Sequence, residues 1–183
     1  MNDPSRQHDP GGKTRLKLPD GVIGDAGFSD CGRYRHWLSR DWTEAGATPK
    51  SIFFVGLNPS VAGADVSDPT CSRELTFAQD WGYTRYLKAN LLDWRATSPK
   101  DIPADPLLAR SDENMRTLAR LSAEADVIVM ASGNVHPRYA EIERETLALL
   151  RASGKALMCL GKNKSGAAKH PLYIRRDAPL MPF

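Results

Sequence analysis

The segment that most constrains this chain is a short run, Ser51-Ile-Phe-Phe-Val-Gly56, with a continuous apolar centre. A strand exposed on one face alternates polar and apolar residues, whereas a strand covered on both faces does not. The run therefore predicts a strand in the middle of a sheet. Further strands are predicted over residues 86–92, 126–131 and 155–160. Between them the spacing predicts a helix over 70–81, carrying Leu75, Ala78 and Gln79 and stopped at Gly82. A second helix starts at Ser111 as N-cap and turns Leu118 and Leu121 inward. A third runs from Arg138 to Ser153 and is capped by Gly154. This alternation predicts an α/β, three-layer fold with a central, mostly parallel four-stranded sheet. Ligands of such sheets bind beyond the carboxyl ends of the strands.

The rest of the chain fits around that frame. Residues 31–42 are predicted to be extended, with Tyr34, His36 and Leu38 on one side and Arg33, Arg35 and Trp37 on the other. Residues 1–20, with Pro4, Pro10, Gly11, Gly12 and Pro19 among charges, are expected to form a flexible tail. Residues 21–183 are then a single α/β domain, an ordinary size for one core. No stretch approaches the roughly 18–20 apolar residues of a membrane-spanning helix. The first residues lack the apolar region of a secretory signal. Cys31, Cys71 and Cys159 are spaced too widely for a disulfide framework or a Cys-x-x-Cys zinc site. A cytoplasmic protein, acting as a monomer without a metal or other cofactor, is expected. Net charge is +3 in all, but residues 151–183 hold seven Lys and Arg against one Asp. A local basic end suits a polyanion such as nucleic acid, although a solvated basic tail has the same composition.

The four predicted strand ends carry the polar chemistry. In Gly56-Leu57-Asn58-Pro59-Ser60, Gly56 permits close approach of a ligand, and Pro59 biases Asn58 away from helix. Asn58 can orient a water, or it can bond its own turn. Asn90 ends an apolar strand. A buried amide there must find partners, either in neighbouring loops or on the edge of a base. His170, between Lys169 and Pro171, can stabilise a developing anion or be a surface histidine. The basic loop Lys162-Asn163-Lys164-Ser165-Gly166 is suited to phosphate contact but does not match a triphosphate-binding loop. Trp81-Gly82-Tyr83 and Trp94 place aromatic surface near the same edges, for base stacking or for core packing. Asp65, Asp68, Asp93 and Asp101 form an irregular acidic set that could hold Mg²⁺, with Asp68-Pro69-Thr70 as a helix start.

Two resemblances follow from these motifs. Over about residues 33–183, the series Arg33-Tyr34, Asn58-Pro59-Ser60, Asp68-Pro69-Thr70, Trp81-Gly82-Tyr83, Asn90-Leu91, Arg95-Ala96-Thr97, Asn114 and His170-Pro171-Leu172-Tyr173 resembles a family of short bacterial and phage proteins of unknown function. More distantly, Gly56-Leu57-Asn58-Pro59-Ser60, the Tyr86–Arg95 segment and His170-Pro171-Leu172 are similar to three motifs of the uracil-DNA glycosylase superfamily. Ser60 and Leu172 depart from that pattern, and Cys71 and Cys159 do not supply its iron–sulfur variant.

The second resemblance implies a uracil-DNA-glycosylase-like fold and a DNA glycosylase that hydrolyses the N-glycosidic bond of a flipped, modified or damaged base. By that resemblance Asn58 positions water and His170 stabilises the leaving base. The same resemblance has Asn90 read the base. In the reaction so pictured Gly56, Leu57, Phe77 and Tyr83 are expected to line the base, and Ser60, Lys162, Lys164, Ser165 and Lys169 to meet the DNA backbone. The alternatives are a non-catalytic nucleic-acid or nucleotide-binding module on the same fold, and a metal-dependent phosphodiesterase built on Asp65, Asp68 and Asp93.

Overall fold

A computed structural model describes residues 14–183. In chain order the elements are β1 (Leu16–Lys17), β2 (Ile23–Phe28), β3 (Arg35–Asp41), β4 (Ser51–Gly56), β5 (Val66–Ser67), α1 (Pro69–Asp80) and β6 (Arg85–Asn90). They continue with α2 (Pro106–Ala109), α3 (Asp112–Glu124), β7 (Val127–Met130), α4 (Ala140–Ala152), β8 (Ala156–Cys159) and β9 (Met181–Pro182). The four strands predicted from apolar runs lie side by side in the order β6-β4-β7-β8, and all three pairings are parallel.

The sheet is larger than the expected four strands. It has seven, in the order β2-β3-β6-β4-β7-β8-β9, and its three outer strands pair antiparallel. β2 escapes the alternation rule because it contains Gly24 and Gly27. A Cβ at Gly24 would stand 2.0 Å from the Ala64 carbonyl, and one at Gly27 would stand 2.1 Å from the Trp37 indole nitrogen. Glycine inside a strand marks such close approach. β9 is only two residues long, too short to carry a period. The tail expected over 1–20 lies mostly outside the described residues. Within them, Leu16–Lys17 pairs antiparallel with Val66–Ser67.

Strand alternation divides the core into two. Phe53, Val55, Leu87, Ala89, Ile128 and Met130 pack with Leu118 and Leu121 of α3 and Ile142 and Leu150 of α4. Ile52, Phe54, Tyr86, Val129 and Ala131 pack with Cys71, Leu75 and Ala78 of α1. Helices thus cover both faces of the parallel centre, and each buried large apolar side chain adds roughly 1.5–3 kcal/mol of burial free energy.

α1 begins as its sequence predicts. The Asp68 carboxylate accepts from the Cys71 amide at 2.8 Å, and Pro69 occupies the first turn. It ends at Asp80, and Gly82 follows with φ +75°. Ser111 departs from expectation. It stands at the N-cap of α3 but makes no side-chain cap bond, because its hydroxyl donates to Asp93 Oδ2 at 2.5 Å. The helix predicted from Arg138 opens as a 3₁₀ turn, Pro137–Tyr139, before α4. Among the described residues no helix is long and apolar enough to cross a membrane.

Candidate functional site

A cleft of about 370 Å³ opens at the carboxyl ends of β4, β6 and β7. Small residues make the space. Gly56 closes β4, and Ala131 follows β7 directly. Gly56 and Asn90 are register partners across the parallel β4–β6 pair. A Cβ at position 56 would lie 2.7 Å from Asn90 Oδ1 and 3.0 Å from Lys88 Nζ. Glycine is therefore what lets both side chains reach over β4.

Asn90 is 1% exposed, and neither its Oδ1 nor its Nδ2 has a hydrogen-bond partner. Its backbone is held, since Asn114 of α3 donates to the Asn90 carbonyl at 3.0 Å. An unpaired buried amide costs roughly 1–3 kcal/mol for each bond it fails to make. Asn90 lines the cleft, so a ligand there would satisfy it.

Asn58 sits in the loop after β4. Its Nδ2 donates to the Pro59 carbonyl at 3.0 Å and to the Ala96 carbonyl at 2.8 Å. Both partners are acceptors, so the nitrogen must face them, and Oδ1 is the atom left to accept a proton from water. The side chain thus bonds its own turn through Nδ2 while Oδ1 stays available to a donor. Ser60 shares this wall, its hydroxyl 3.3 Å from that of Thr97.

His170 stands on the rim with Leu172 and Tyr173. It precedes the 3₁₀ turn Pro171–Tyr173, and its Nδ1 accepts from the Leu172 amide at 3.4 Å. In the neutral ring that assigns the proton to Nε2. Its ring centroid is 5.8 Å from that of Tyr173, which is 87% exposed.

The structure brings Gly56, Leu57, Asn58, Ser60, Asn90 and His170 to this one cleft. It does not bring the others. Phe77 is fully buried in the α1 core, 5.1 Å from Trp81, so it belongs to the packing beneath β4 and offers no stacking face. Helical spacing identifies a buried face but not how far along the helix the cleft lies. Trp81 likewise stacks on Phe54 at 6.4 Å. Tyr83 is at the amino ends of the strands, beneath the Lys50 ammonium at 4.8 Å. The cleft lies at the opposite, carboxyl ends of the strands. Trp94 packs edge-on against Tyr34 at 5.4 Å. Lys162, Lys164, Ser165 and Lys169 are exposed on the loop beyond β8, outside the cleft walls. That loop is tied to the rim through Asn134, whose Oδ1 accepts from Asn163 Nδ2 at 3.0 Å and from Ser165 Oγ at 3.1 Å.

The acidic set does not assemble. Asp65 and Asp101 are exposed, and Asp68 caps α1. Asp93 accepts from the Ser111 amide, the Ser111 hydroxyl and His36 Nδ1 at 2.5–2.8 Å. Among the described residues no group of three His, Cys, Asp or Glu is placed to hold a metal ion.

Arg35, Asp68, Cys71, Lys88, Ser132 and Asn134 complete the walls, and of these Arg35, Cys71 and Lys88 have no place in the cleft by motif reading. Lys88 was visible as a charge within the apolar strand Tyr-Leu-Lys-Ala-Asn. Its ammonium lies 2.6 and 2.7 Å from the two carboxylate oxygens of the fully buried Glu74, which also accepts from the Tyr86 hydroxyl at 2.6 Å. Arg35 is 1% exposed and donates to the Ala62 carbonyl at 3.0 Å, while its Nε has no partner. Burial, with the Asp68 charge in support, pushes the Cys71 thiol up to about 12. At neutral pH it is a protonated wall group and no nucleophile.

Searches of curated proteins and of solved structures found no match. A family model does match. It covers residues 35–172, a span that begins at the buried arginine of the cleft and ends in the turn after His170, leaving only Tyr173 of the lining residues outside. On that span the chain belongs to the family described as "Protein of unknown function (DUF1643)".

Proposed function

We propose that this cleft receives a nucleobase turned out of DNA and that the protein hydrolyses its N-glycosidic bond, leaving an abasic site. The observation that carries the reading is the Asn90 side chain. It is an amide with donor and acceptor both unpartnered, buried at the floor of a cleft whose volume is at the low end for small-molecule sites. A planar heterocycle with a polar edge pairs with such an amide and fills the space over Gly56. The base enters only after leaving the stack, because its glycosidic bond is shielded within the duplex.

The remaining groups fit this reaction in order. The exposed lysines beyond β8, Lys162, Lys164 and Lys169, hold the phosphate backbone near the rim. Asn58 Oδ1 accepts from a water and directs its oxygen at C1′ of the sugar. The C1′–N bond breaks as the C1′–O bond forms, and the bonding pair stays with the base. His170 donates from Nε2 to the base as it becomes anionic. In place of Phe77 and Tyr83, the ring at the mouth is Tyr173, available to cover the base face.

The test uses duplexes and single strands that carry damaged or modified bases, followed by hot alkali to cut at abasic sites. Wild-type protein is expected to yield cleaved strands from at least one substrate. Asn58→Ala and His170→Ala are each expected to lower the rate at least about 100-fold. Full activity in both variants sinks the reading. DNA binding with no base release from any substrate would favour the non-catalytic binding module.

A further inference from the structure

Lys88 is a charged side chain on the central sheet, and the hydrolysis as built from Asn58, Asn90 and His170 does not use it. Its side chain is 4% exposed, and its partner carboxylate on Glu74 is 0% exposed. A buried ion pair adds little net stability over apolar residues of the same size. What the pair does supply is a fixed dipole in a place of low dielectric, with its ammonium end in the cleft wall and its carboxylate behind it. Glu74 takes two of the three N–H groups, one on each oxygen. Nζ also lies 3.0 Å from the point over Gly56 where a Cβ would stand, and Asn90 Oδ1 lies 2.7 Å from that same point. The ammonium and the vacant amide therefore converge on one seat in the cleft.

We propose that Lys88 is a catalytic residue of this cleft, holding the negative charge that forms on the base as the glycosidic bond breaks. The inference rests on the glycosylase reading. In the step, the oxygen of water forms a bond to C1′, and the C1′–N pair passes to the base nitrogen. The attacking water releases one proton to solvent. Lys88 keeps its own protons throughout, and the departed base anion later takes a proton from solvent. Glu74 and Tyr86 are positioning residues that fix the ammonium below the base. A preorganised charge of this kind needs no reorganisation when the anion develops.

The test compares wild type, Lys88→Met, Lys88→Arg and the double variant Lys88→Met/Glu74→Gln. The double variant leaves no unpaired buried charge and so keeps a folded comparison available, checked by thermal melting. The substrates are oligonucleotides bearing uracil, 5-fluorouracil, hypoxanthine or xanthine, which span a range of leaving-group acidity. Loss of Lys88 is expected to lower kcat about 100- to 1000-fold on the least acidic leaving base. The loss should shrink as the base becomes more acidic, and KM should move little. Lys88→Arg should recover part of the rate. Equal losses on every base, or no loss, would overturn the proposal while leaving the glycosylase reading intact. A wild-type protein that releases no base from this panel overturns the proposal, and one that releases none from the wider set of damaged and modified bases overturns the glycosylase reading with it.

Discussion

Two buried polar clusters flank the carboxyl end of β6, and they differ in how fully they are bonded. Asp93, three residues beyond Asn90, is 0% exposed, and both of its oxygens are engaged by Ser111 and His36. This cluster ties the end of β6 to β3 and to the start of α3. Asn90 is as deeply buried, yet both of its amide atoms lack a partner. Burial alone does not separate a structural residue from a binding residue. Saturation together with place does, because a buried polar group with no partner lowers stability unless something binds it, and Asn90 opens on the cleft.

The contrast can be broken most directly at Asp93. Asp93→Ala strands His36 and Ser111 and removes three hydrogen bonds, so unfolding in urea is expected to show a loss of about 3–5 kcal/mol. A loss below about 1 kcal/mol would mean the saturated cluster is not structural. Asn90→Ala should do the reverse. Base release is expected to fall about 100-fold, equivalent to about 2.7 kcal/mol in the barrier, while the unfolding midpoint changes little or rises. A strongly destabilised Asn90→Ala would undo the distinction.

Alkaline stability sharpens it further, since Cys71 stands between the cleft and the core. Below pH 9.0 the thiol keeps its proton whether the chain is folded or not. Above that, the unfolded chain loses the proton while the folded thiol, pushed up to about 12, retains it. Stability is therefore full below pH 9 and falls as pH rises toward 12, by about 1.4 kcal/mol per unit. The Tyr86 hydroxyl, raised by burial, adds in the same direction above pH 10. Urea titrations at about pH 8 and pH 10.5 should give a smaller difference for Cys71→Ala than for wild type. The smallest expected effect is at the exposed loop. Replacing Lys162 and Lys164 by serine should reduce the slope of log binding constant against log salt by about 1 for each phosphate no longer neutralised. Rates measured on bound DNA should stay the same.

The parallel centre was legible because a strand buried on both faces announces itself over about five or six residues. β4 and β7 are buried along their whole length and β6 nearly so, while β8 was legible from its apolar run although only Cys159 of it is buried. β2 was not legible, because its glycines answer to Ala64 and Trp37, which only the folded chain brings near. The candidate site divides the same way. Gly56, Asn58 and Asn90 stand out at strand ends, where polar residues interrupt apolar runs. Phe77 and Tyr83 are aromatic and near the right strands, but period and proximity in sequence do not say which end of the sheet a residue faces.

By itself the sequence determined the parallel strands, their alternation with helices and the polar character of their carboxyl ends, since these depend on spacing within a few residues. The tertiary structure alone decided that Lys88 meets Glu74 and that Gly56 clears room for Asn90. It also decided that Asp93 is saturated while Asn90 is not. Those outcomes depend on the β4–β6 register and on where α1 and α3 dock. Contacts between segments far apart in the chain set both, and local spacing does not encode such contacts.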